Sequence, residues 1–128
     1  MDANQSTEPE EYKPVIWIGS SLEDLRSFPE DVKFEIGDAL KAIQFGKTHP
    51  SVKIMKGFGS AAVREVKAND VSGTYRTVFT VEFPEAIYAL HSFQKKSKKG
   101  KATPKEEMER IERRLETARQ DHEARFGR

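Results

Sequence analysis

The sequence predicts a single α+β domain: a twisted, mainly antiparallel sheet with helices packed on one face and a long helix at the C-terminus. Three observations predict it. Four segments rich in Val, Phe, Tyr and Thr follow one another between residues 52 and 95, separated only by short turn signals. Helical periodicity is confined to the segments before and after that run. At 128 residues the chain fits one domain with a modest core. Strand, two helices, four-stranded meander and terminal helix then combine into one layered unit.

Residues 1 to 13 are polar and acidic, with Pro9 inside them and Pro14 after them, and are expected to form a disordered tail ahead of a domain spanning 14 to 128. "PVIWIG" (14 to 19) has the β-branched and aromatic content of a short strand closed by glycine. In "SSLEDLRSFP", Ser20 and Glu23 form a capping-box pattern that opens a short helix, which Pro29 stops. A second helix follows at once. Glu30 and Asp31 occupy its first turn, Val32, Ile36, Leu40 and Ile43 recur at helical spacing, and Gly46 sits where a C-terminal cap belongs.

The strands of the meander are expected at 52 to 58, 61 to 69, 73 to 83 and 86 to 95, joined through Asn69, Asp70 and Gly73 and through Pro84 and Glu85. Thr103, Pro104 and Glu106 then supply a capping Thr, a first-turn Pro and a reciprocal Glu to the last helix. Met108, Ile111, Leu115 and Ala118 give that helix a narrow apolar stripe. Beyond Arg119 it has only His122 and Phe126 to bury, so its tip is expected to fray.

Composition removes several classes of function. There is no cysteine, which excludes a disulfide scaffold, a thiolate zinc site and a thiol nucleophile. No apolar run approaches the length of a membrane span, and the first residues lack the basic-then-apolar pattern of a signal peptide, so a cytoplasmic protein without a membrane partner is expected. The net charge of +1 hides an asymmetry: residues 47 to 101 hold eleven Lys/Arg against Glu65, Asp70, Glu82 and Glu85, a local charge of +7. Such a block points to a polyanionic partner, most often nucleic acid, or to a solvated face.

Alternation along 75 to 83 places Tyr75, Thr77, Phe79, Val81 and Phe83 on one side of the sheet and Arg76, Val78, Thr80 and Glu82 on the other. The aromatic side is expected to meet the helices. The side carrying Arg76 is expected to stay open and to gather the charges of neighbouring strands.

Residues 63 to 115 resemble the RelE/ParE toxin superfamily, in its phage-related HigB-like branch. The resemblance is carried by "VRE" on one strand, "YR" on the next, and a strand ending "LHSFQKKSKK" followed closely by "TPKEE" opening a helix. It implies a RelE-like fold and the toxin of a type II toxin-antitoxin system. It further implies a ribosome-dependent endoribonuclease that cuts messenger RNA, neutralised by a HigA-like helix-turn-helix antitoxin. The ParE branch shares the fold but inhibits DNA gyrase, and a non-catalytic nucleic-acid-binding module is a third reading of the charge.

RNA cleavage without a metal or other cofactor requires a deprotonated 2′-hydroxyl, a stabilised pentavalent phosphate and a protonated leaving oxygen. Lysines and arginines supply the last two, and a lysine crowded by like charges supplies the first. Carboxylates are too scarce in the basic block for a divalent-metal site. The candidate catalytic residues are Arg64 and Arg76 as phosphate ligands, one of Lys95 and Lys96 at the strand end, and His91 as a proton shuttle. Phe93 is a candidate base-stacking residue, and Tyr75, Lys53, Lys56, Lys98 and Lys99 are further candidates for RNA binding. Lys53 and Lys56 fall on opposite faces of their expected strand, so only one is expected at the site. Each also has a blander reading: Arg64 as a salt bridge, Phe93 as core, and His91, His49 and His122 as structural residues.

Overall fold

A computed structural model describes residues 12 to 95 and 103 to 127. Strand β1 (Val15–Trp17) is followed by α1 (Ser21–Arg26) and α2 (Glu30–Gln44). Then come β2 (Val52–Ile54), β3 (Val63–Asp70), β4 (Gly73–Thr80), β5 (Ile87–Lys95) and α3 (Lys105–Phe126). The sheet runs β1-β5-β4-β3-β2. All neighbours are antiparallel except β1 and β5, which pair in parallel with Val15 opposite Ile87. The expected element order therefore holds. The strands are shorter than their β-rich segments, most of all β2, which ends at Ile54 before the turn at Lys56 and Gly57.

Helix α2 ends where glycine was expected to end it. Gly46 takes φ +76°, its N–H donates to the Ile43 carbonyl and the Lys47 N–H to the Ala42 carbonyl, a Schellman closure that needs left-handed backbone. The two expected side-chain caps are not made. Pro104 is the N-cap of α3, and it has no side chain to accept a bond; Ser20 precedes α1 but turns its hydroxyl to the Asp24 carboxylate at 2.8 Å.

The helices cover both faces of the sheet. Val32, Ile36, Leu40 and Ile43 of α2 and Leu25 of α1 pack on Val66, Ala68, Tyr75, Phe79 and Ile87. On the opposite face Ile111, Leu115 and Ala118 of α3 pack on Val63, Val78, Tyr88, Leu90 and Phe93. The face expected to stay open is thus closed over most of its length, because the apolar stripe of α3 has nowhere else to bury. The tip of α3 does not fray in this structure. His122 stacks on Phe83 with centroids 4.1 Å apart and bonds Glu85 at 2.6 Å, while the Tyr88 hydroxyl donates to Asp121 at 2.7 Å.

One irregularity shapes the site. Val78 pairs with His91 but Phe79 with Ala89, so Leu90 is an extra residue in β5. The bulge puts Leu90 and His91 on the same side, toward α3. The freed Leu90 carbonyl accepts from Arg114 Nη1 at 3.0 Å.

Candidate nucleic-acid interface

Among the described residues, the β2 end of the α3 face lies beyond the residues packed with α3, and there the strand register gathers charge. Lys53 stands opposite Glu65, and Lys67 opposite Arg76, so all four side chains share this side of the sheet. Lys95, opposite Thr74, follows on β5. Together with Lys56 they line a cleft of about 460 Å³, which Thr103, just before α3, and Met108, in its first turn, also line. Five cations face one carboxylate among the described lining residues. That carboxylate, Glu65, accepts from Arg76 Nη1 at 2.8 Å. The Arg76 side chain is only 9% exposed and its Nε is buried with no hydrogen-bond partner, so the guanidinium is short of acceptors. A phosphate at the cleft would meet fixed positive charge in a partly desolvated setting, where electrostatic contacts gain strength.

Lys53 and Lys56 both line the cleft, contrary to the expectation that they diverge. Opposite faces apply only while a strand continues, and β2 ends between them. Arg64 and Arg76 do not converge. Arg64 pairs with Phe79 and Ile54, on the α2 side of the sheet, and its Nε donates to the Ala61 carbonyl at 3.0 Å. An odd register offset between the two strands decides this, and neither strand reveals it alone.

Tyr75 is also on the α2 side, buried against Phe28 with centroids 4.7 Å apart, its hydroxyl 2.5 Å from Ser72 Oγ. Phe93 is buried beneath α3 and stacked on His91 at 4.9 Å. Neither ring offers an open stacking platform; their β-propensity went into the core. Lys96, Lys98, Lys99 and Lys101 lie outside the described residues.

His91 is 2% exposed and held from both sides: Nε2 meets Glu107 at 2.5 Å and Nδ1 meets Arg114 Nη1 at 3.3 Å. Arginine can only donate, so Nδ1 accepts and Nε2 carries the proton toward Glu107. Burial holds the imidazole below its ordinary value, and the Glu107 bond only partly opposes this. A ring with both nitrogens engaged ties β5 to α3 as a strut. Arg114 extends the strut, donating through Nη2 to Ser20 Oγ at 3.1 Å, which ties α1 to α3. His49, the loop histidine, is held by Asp38 at 3.2 Å and accepts the Ser51 N–H at 3.0 Å.

Sequence reasoning missed Lys67 and Glu65 as site residues and Glu107 and Arg114 as partners of His91. For the first two a signal existed: they alternate with Val66, a core residue of the opposite face. For the other two there was none, since α3 was expected on the other side of the sheet.

The model of the family described as phage derived protein Gp49-like (DUF891) matches residues 23–116. No curated protein matches the chain. Among the described residues no helix is long and apolar enough to cross a membrane.

Proposed function

Since the chain belongs to the phage-derived Gp49-like family, a family of RelE-like toxins in toxin-antitoxin systems, we propose that it is an endoribonuclease that cuts messenger RNA on the ribosome. The observation that carries this reading is the cleft in which, among the described residues, Arg76, Lys95, Lys53, Lys56 and Lys67 face a single engaged carboxylate. In the proposed reaction the RNA 2′-hydroxyl gives its proton to water and its oxygen attacks the adjacent phosphorus in line, forming a 2′,3′-cyclic phosphate, while the 5′-oxygen of the next nucleotide leaves with a proton from a lysine ammonium of the cleft, which water then restores. Arg76 and Lys95 neutralise the two charges that accumulate on the phosphoryl oxygens. The neighbouring lysines hold the flanking phosphates. The cleft is small and open, so the ribosome supplies the ordered strand that the protein alone does not hold.

A toxin of this family implies a cognate antitoxin. A HigA-like helix-turn-helix protein with an acidic docking segment fits the charge of the cleft.

Primer extension on messages after brief induction tests the reading, with purified protein assayed on ribosome-bound and naked RNA. Cuts within translated frames, faster on the ribosome, are expected. Arg76→Ala and Lys95→Ala should each lower the rate by roughly a hundredfold to a thousandfold. Intact messages with gyrase trapped on DNA would replace this reading with the ParE-like one.

A further inference from the structure

On the other side of β2 lies a second cavity, of about 230 Å³, lined by Ile43, Thr48, His49, Val52, Lys53, Ile54 and Arg64. Lys53 and Ile54 line both this cavity and the basic cleft, so a single pair of edge-strand residues separates them. A chain lying in the cleft reaches the cavity by passing over that edge.

Its chemistry differs from that of the cleft. Ile43, Val52 and Ile54 form an apolar wall, and Ile54 is 56% exposed, a large apolar side chain left in water beside a basic surface. Arg64 stands directly across from Ile54 in the ladder. Its Nε is anchored on the Ala61 carbonyl, which leaves the terminal guanidinium nitrogens available as donors and as a flat cation. The carboxylates of the adjoining helix turns are engaged, Asp38 by His49 and Glu35 by the Ser51 hydroxyl.

We propose that this cavity receives an unstacked base of the RNA strand whose backbone lies in the basic cleft. A planar base fits a site whose lining sets a guanidinium beside apolar side chains, because it stacks on either and accepts from the arginine at its edge. The positive charge of Lys53 and Arg64 suits the adjoining phosphate. The inference rests on the cleft binding RNA, and it assigns Arg64 to base recognition instead of to the reacting phosphate.

The test compares binding of a short single-stranded RNA with the same RNA carrying one abasic nucleotide, the abasic position being moved along the strand. Wild-type protein should lose roughly tenfold in affinity at one position and little elsewhere. Ile54→Ser and Arg64→Ala should each reduce that difference; both side chains lie outside the core, so folding is expected to persist. Equal affinity of wild-type protein for all the RNAs would overturn the proposal, even if messages are still cut. Positional discrimination without any cutting would uphold it and overturn the ribonuclease reading instead. If Ile54→Ser and Arg64→Ala loosen the antitoxin complex and leave base discrimination intact, the cavity serves the protein partner and the proposal fails.

Discussion

Arg76 is either a phosphate ligand or one half of a structural ion pair, and replacing the pair together with its halves separates the two. Arg76 Nη1 and Glu65 Oε1 are 2.8 Å apart, with side chains 9% and 16% exposed. Arg76→Ala alone leaves the carboxylate without its charge partner in a half-closed cleft. Removing one member of a fully buried pair costs about 3–5 kcal/mol, and the open side of the cleft lowers this to about 2 kcal/mol here. Glu65→Gln keeps an acceptor oxygen but turns a charge-assisted bond into a neutral one, a loss of about 1 kcal/mol. The double change Glu65→Gln with Arg76→Met removes the charges and keeps the volume, so its stability should return to within about 1 kcal/mol of wild type. Urea unfolding checks these values.

Function should follow another order. Glu65 repels an incoming phosphate and occupies one donor of Arg76, so Glu65→Gln should bind single-stranded RNA more tightly, with a salt slope steeper by about 0.7. The double variant should cut at least a hundredfold more slowly despite its stability. If it cuts at the wild-type rate, Arg76 is structural only and the reasoning about the cleft is wrong.

Three further outcomes are expected. His91 is held neutral by burial, so its contribution to stability is present above its ordinary value near 6.5 and is lost as pH falls through the lower folded value. His91→Gln should therefore flatten the fall in Tm between about pH 7 and 5, and parallel curves for the two proteins would refute the strut. The Tyr88 hydroxyl is pushed well above its usual range, by burial first and then by its bond to Asp121; its contribution is present below about pH 10 and lost as pH rises further. Tyr88→Phe should cost about 1–2 kcal/mol at neutral pH and remove that alkaline loss, as thermal melts would show. Gly46→Ala meets no atom within 4 Å, so only the left-handed backbone at φ +76° opposes it; a loss of about 1–2 kcal/mol in chemical unfolding is expected, and no loss would mean that the α2 closure is not strained.

Sequence alone determined the element order, because each element carries its own local physics. The period of Val32, Ile36, Leu40 and Ile43, the glycine that closes α2, and the β-branched runs of the meander depend on neighbours within a few residues. It also determined that residues 47 to 101 carry a net positive charge. Which side each cation occupies was a matter for tertiary structure. Register between strands sent Arg64 toward α2 and Arg76 toward α3, and the early end of β2 let Lys53 and Lys56 meet. The packing of α3 on the face expected to be open buried His91 and Phe93. Alternation within one strand says that two residues oppose each other, but only pairing and the competition for buried area decide which of them faces solvent.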